Sequence, residues 1–137
     1  MSEMNAPAQR PAFPVVDEAT IGPFLAAAGE APVLLVFAAD PARSPETRDL
    51  AVILPELVAA FAAAADPLAI RAAVVPLAGN RALMARFGVR TLPSLVALRS
   101  GVPCGVIARL LDWPGYLHRI RALFTADAAA LDAGEAA

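Results

Sequence analysis

The spacing of apolar positions changes several times along the chain, and each change predicts an element. From Asp17 to Gly29 (DEATIGPFLAAAG), Ile21, Phe24, Leu25 and Ala28 recur at helical spacing between acidic residues and a glycine, the pattern of a capped amphipathic helix. VLLVFA, residues 33–38, is apolar without alternation, as expected of a central strand covered on both faces. Asp40–Asp49 (DPARSPETRD) breaks the pattern with two prolines and five charged residues and is expected to be a loop or an irregular lead into a helix. Helical spacing returns from Leu50 to Ala64, where Ile53, Leu54, Leu57, Val58 and Phe61 form one stripe around Pro55, a residue that removes a backbone donor and is expected to kink the helix.

After the turn at Asp66-Pro67, LAIRAAVVPL predicts a second buried strand and GNRALMARF a short helix. SLVAL, residues 94–98, and GVIARLL, residues 105–111, predict two strands joined through RSGVPC, whose glycine and proline suit a hairpin. A last helix is expected from about Trp113 to Phe124. The order helix, strand, helix, strand, helix, hairpin, helix implies an α/β domain: a central mixed four- to five-stranded sheet with helices on both faces. The domain is placed at residues 15–124, between a proline-rich N-terminal tail, 1–14, and an acidic tail, 125–137, both expected to be flexible.

A chain of 137 residues is long enough to bury one core without disulfide or metal. Hydrophobic residues make up 58 % of it, with a mean hydropathy of +0.60. Much of that is alanine, and no apolar run reaches the roughly 18–20 residues that span a bilayer. The opening MSEMNAPAQRPAFP lacks the basic start and apolar stretch of a secretory signal, so a soluble, cytoplasmic protein is expected. A formal charge of −2 offers no field for nucleic acid or a membrane surface. The single cysteine, Cys104, excludes an intramolecular disulfide and a CxxC centre, and with one histidine, His118, no metal-ligand cluster forms in the sequence. A phosphate-binding glycine loop and a G-x-S-x-G elbow are likewise absent. No cofactor is expected.

Residues 87–124, beginning FGVRTLPSLVAL, resemble the C-terminal half of thioredoxins, where an aromatic-Gly-Val turn, a cis-proline loop, a hairpin and a helix follow one another. Pro93 stands at the cis-proline position, and an X-Pro bond makes cis geometry accessible at about 0.5–1 kcal/mol. Counting back from Pro55, the position of the helix-kinking proline, the family's redox motif falls on Thr47-Arg48-Asp49-Leu50, which contains no cysteine. Neither attacking nor resolving thiol is then available.

Over residues 15–124 the chain more closely resembles the HyaE/HupG family of NiFe-hydrogenase maturation proteins, which are thioredoxin-like and lack CxxC. The likeness is carried by Asp40-Pro41, Arg43, Pro45-Glu46, Asp49, Phe87-Gly88-Val89, Pro93 and Trp113-Pro114. It implies a non-catalytic chaperone that binds the hydrogenase small-subunit precursor, with its twin-arginine signal peptide, before export; other hydrogenase accessory proteins are further expected partners. In such a fold Thr91, Leu92 and Pro93 offer backbone groups for strand addition by a peptide. Asp40, Glu46 and Asp49 supply carboxylates for its arginines, with Arg43 in the same segment. Against this stands a solvated loop neutralised by its own Arg43 and Arg48, with Asp40 or Ser44 capping a helix. Two other functions remain open: a generic thioredoxin-like interaction module, and a thiol oxidoreductase using Cys104. Cys104 otherwise reads as a small buried apolar residue, His118 as a surface or half-buried histidine, and Trp113 as an anchor packed on the sheet, or an interface residue if exposed.

Overall fold

The computed structural model describes residues 13–76, 78 and 81–125. Its elements are α1 (Ile21–Ala28), β1 (Pro32–Phe37), α2 (Pro45–Ala62), β2 (Arg71–Val75), α3 (Arg81–Phe87), β3 (Ser94–Arg99), β4 (Val102–Ile107) and α4 (Trp113–Thr125). Most of the expected tails, 1–14 and 125–137, lies outside the described residues.

The strands form one sheet in the order β2-β1-β3-β4, with β1 parallel to β2 and antiparallel to β3, and β3 antiparallel to β4. A rudimentary further strand extends it. Val15 bridges Val74 in parallel, held by Val16 N–H to Val74 O and Val74 N–H to Pro14 O, each 2.9 Å. Pro14 therefore belongs to the sheet, one residue outside the expected domain boundary.

Every residue of β1 is buried, which explains its unbroken apolar run. Leu34 and Val36 join a cluster with Leu50, Leu54, Leu57 and Phe61 of α2 and Tyr116, Ile120, Leu123 and Phe124 of α4. Val33, Leu35 and Phe37 join the opposite cluster with Ile21 and Ala28 of α1 and Leu83 and Phe87 of α3. The twofold period of the strand thus assigns α2 and α4 to one face and α1 and α3 to the other. Phe37 and Phe87 meet edge to face at 6.1 Å across the second core.

The structure corrects four boundaries. α1 begins at Ile21, because Asp17–Thr20 forms a turn in which the Asp17 carboxylate accepts from the N–H groups of Ala19 and Thr20. α2 begins at Pro45, five residues earlier than the hydrophobic stripe suggested. Ser44 caps it by accepting the Thr47 N–H at 3.1 Å, and Pro45 supplies a first position that needs no donor. The hairpin turn is only Ser100-Gly101, both at positive φ (54° and 76°), so β4 starts at Val102 and takes in Pro103 and Cys104. An edge strand tolerates Pro103, and a bulge accommodates Cys104 where the register steps from Ala97↔Gly105 to Leu98↔Pro103. β4 then ends at Ile107, which leaves 108–112 as a loop.

Gly88, at φ +75°, ends α3 and lets Val89 N–H reach Met84 O at 2.8 Å, which returns the chain to the core. Trp113, expected as the anchor packed on the sheet, is instead 42 % exposed at the start of α4, and the buried aromatic of that helix is Tyr116, one turn later and 1 % exposed.

Candidate partner-binding cleft

Two segments meet at one end of the sheet: the start of α2 and the loop before β3. After β1 the chain turns at Asp40, whose carbonyl accepts from Arg43 N–H (3.0 Å) and Ser44 N–H (2.9 Å) and whose carboxylate accepts from Ala42 N–H (3.0 Å). Arg43 Nε lies 3.9 Å from the Asp40 carboxylate, with side chains 88 % and 49 % exposed, a pair of little energetic weight. Arg48 donates to Pro41 O at 2.6 Å. Asp40, Arg43 and Arg48 thus shape the turn.

Thr47 anchors α2 to β1. It is 5 % exposed, and its hydroxyl oxygen accepts the Ala39 N–H at 3.1 Å. Opposite, the Leu92-Pro93 bond is cis. Its loop is braced by the Ser94 hydroxyl donating to Thr91 O (2.8 Å) and the Thr91 hydroxyl donating to Ala108 O (3.3 Å).

Between these segments lies a cleft of about 450 Å³ lined by Glu46, Thr91, Leu92, Pro93, Ala108, Arg109 and Leu110. Four of the sequence-derived residues, Glu46, Thr91, Leu92 and Pro93, therefore share one site. Asp40 and Arg43 do not line it; Asp49 is exposed on α2, three residues beyond Glu46, and also lies outside the lining. Arg109 is the residue the sequence reading missed. It had been placed in a strand, and only the early end of β4 puts it in the loop that forms the cleft wall. Leu92 also lines a larger groove of about 950 Å³ with Glu18, Arg81, Ala82, Met84, Ala85 and Val89.

Cys104 sits on β4 and is half-buried. Burial pushes its thiol pKa up, and the nearby Arg99 only partly opposes this, the reverse of an activated nucleophile. Burial likewise raises the Tyr116 phenol, with the Leu111 backbone pulling the other way, and the Tyr116 hydroxyl makes no hydrogen bond of good geometry. His118 is exposed on α4. Among the described residues, no three His, Cys, Asp or Glu side chains gather to hold a metal, and no helix is long and apolar enough to cross a membrane.

Comparison with known proteins gives a consistent result. Residues 5–116 match the family described as Hydrogenase-1 expression protein HyaE. The chain is 42 % identical over 121 residues to the hydrogenase expression/formation protein HupG of Rhizobium leguminosarum bv. viciae, covering 87 % of this chain and 78 % of that protein. A crystal structure of a putative HupG from Rhodopseudomonas palustris CGA009 superposes with a TM-score of 0.54 at 43 % identity, over 87 % of this chain and 97 % of that one. A thioredoxin from Halobacterium salinarum NRC-1 superposes with a TM-score of 0.63 at 21 % identity, over 85 % and 98 %, which bears on the fold alone. With a family match across most of its length and relatives above 40 % identity, this chain belongs to the HyaE family of hydrogenase expression proteins, built on a thioredoxin-like fold.

Proposed function

We propose that this protein serves hydrogenase maturation as a non-catalytic chaperone, holding the small-subunit precursor by its twin-arginine signal peptide on the cytoplasmic side before export. The observation that carries the reading is the cleft in which Glu46 faces the Thr91–Pro93 loop. Among the described residues the Leu92 backbone makes no hydrogen bond, so an extended peptide has a main-chain partner there. Glu46 is exposed at the rim and accepts a guanidinium bidentately, while Arg109 on the other wall donates to peptide carbonyls. Nothing in this scheme uses a thiol, which fits a Cys104 that is half-buried on β4 with a raised pKa.

Calorimetric titration with the synthetic signal peptide tests the reading. Saturable binding is expected. Replacing the two arginines by lysines weakens it by about two- to fivefold, the worth of one exposed pair at up to ~1 kcal/mol, and Glu46→Gln removes that preference. Folded protein that binds neither the peptide nor the precursor refutes the proposal.

A further inference from the structure

Among the described residues four large apolar side chains stand exposed: Val15, Val52, Val102 and Trp113. Val15 lies outside β2, at the sheet edge away from β4. Val102 pairs with Arg99, which pairs with Pro32, at the end of the sheet opposite the cleft, and Val52 sits further along α2 than Glu46. Trp113 differs. The pairs Phe37↔Ser94 and Leu95↔Ile107 set the end of β1, the start of β3 and the end of β4 side by side, so α4 starts at the same end of the sheet as α2 and the cis-Pro93 loop. Trp113 opens that helix three residues after Leu110, which lines the cleft, and three residues reach at most about 11 Å.

The exposure of Trp113 is built into the helix start. The Asp112 carboxylate accepts the Gly115 N–H at 2.8 Å, and its carbonyl accepts the Tyr116 N–H at 3.0 Å. A Cβ on Gly115 would stand 2.7 Å from that carboxylate, and Pro114 fixes its own φ within the first turn. Tyr116 takes the core position beneath, which leaves Trp113 42 % exposed. An aromatic held in this way contacts a partner at little ordering cost, and tryptophan is among the residues that carry most binding energy.

An export signal joins a basic segment to 7–15 apolar residues. Even seven extended residues span about 23 Å, so a peptide seated in the cleft runs on over its rim. The half-buried Leu110 and the exposed Pro114 flank Trp113 with apolar surface. Arg109 and the positive end of α4 oppose a guanidinium stacked on the ring, and the Asp112 carboxylate is committed to the cap. We infer that Trp113 is the rim contact of the bound signal peptide, taking an apolar side chain of its hydrophobic segment while the cleft takes the arginines. This inference rests on the proposed function.

Trp113 is the only tryptophan of the chain, so its fluorescence reports on this contact alone. The test titrates the full chain with two tryptophan-free peptides: the intact signal peptide, and one whose apolar segment carries serines in place of leucines while the arginines are kept. The intact peptide is expected to shift the emission to the blue as the ring leaves water, and the serine peptide to bind more weakly without that shift. By calorimetry, Trp113→Ala is expected to weaken the intact peptide about tenfold and to leave the serine peptide unchanged. Trp113→Gln gives the same readout if Trp113→Ala does not fold, and Val102→Ala, at the other end of the sheet, changes neither peptide.

If the intact peptide binds by calorimetry while the emission stays where it was, or binds the folded Trp113 variant as tightly as the wild type, the rim contact is overturned and the proposed function stands. If the intact peptide does not bind the wild-type protein at all, both fall.

Discussion

Replacing Thr47 by valine isolates the tie that sets the start of α2. Thr47 is 5 % exposed, its hydroxyl oxygen accepts the Ala39 N–H at 3.1 Å, and its own N–H is accepted by Ser44 at 3.1 Å. Valine keeps the β-branch and nearly the same shape, so helix propensity and packing change little. The change is that Ala39 N–H loses its acceptor. An unsatisfied buried donor costs about 1–3 kcal/mol, and because Ala39 is only half-buried, water recovers part of it, leaving about 1 kcal/mol. For a domain of this size that corresponds to a fall in Tm of roughly 3–6 °C. In urea the midpoint drops with unchanged m. Hydrogen exchange locates the effect: protection of the Ala39 amide is lost while the β1 amides keep theirs. Wild-type Tm together with undiminished Ala39 protection would falsify the anchoring role.

Tyr116→Phe removes a buried hydroxyl that makes no hydrogen bond of good geometry, so at neutral pH the variant is expected to be as stable as the wild type or up to about 1 kcal/mol more stable. Burial raises the folded-state phenol pKa above the ordinary 10.0, so its contribution is full below that value and is lost as pH rises through the folded pKa; an alkaline denaturation scan should show the wild type losing more stability above about pH 10 than the variant. Because the Cys104 thiol is raised in the same way, iodoacetamide should label it at neutral pH more slowly than free cysteine, and insulin reduction should stay at background in both the wild type and Cys104→Ser; activity lost in that variant would establish a thiol enzyme. Gly105→Ala places a methyl 2.7 Å from a Leu123 methyl, and since Leu123 can rotate, the expected cost in urea denaturation is about 1 kcal/mol. That cost should shrink when Leu123 is also changed to Ala, and an unchanged cost in the double variant contradicts the close-approach argument.

The central fold was legible because burial leaves a periodic trace. The unbroken apolar run at Val33–Ala38 marked a strand with helices on both faces, and the structure gives β1 with all its residues buried. Boundaries were harder to read. The start of α2 depends on Ser44 capping a polar first turn, Pro45-Glu46-Thr47-Arg48, and such a turn carries no hydrophobic period. The hairpin hid its register because the bulge at Cys104 interrupts alternation. Trp113 looked like core by size, yet Tyr116, one turn later, fills that space. Of the residues that line the cleft, Thr91, Leu92 and Pro93 were legible through a motif and Glu46 through its position after the central strand. Arg109 had no such signal, since it reaches the cleft only through the loop that follows β4.

The central claim is that the cleft between Glu46 and the cis-Pro93 loop holds the small-subunit precursor. Titrating purified precursor, signal peptide attached, into the wild-type protein and Leu92→Arg tests it most directly, with thermal denaturation confirming that both are folded. Leu92 is half-buried at the boundary of both cavities, so an arginine there obstructs the peptide path and adds a charge that repels its arginines. Saturable binding to the wild type, weakened at least about tenfold in Leu92→Arg, is the predicted result. Equal affinity for both proteins, or no binding to the folded wild type, would contradict it.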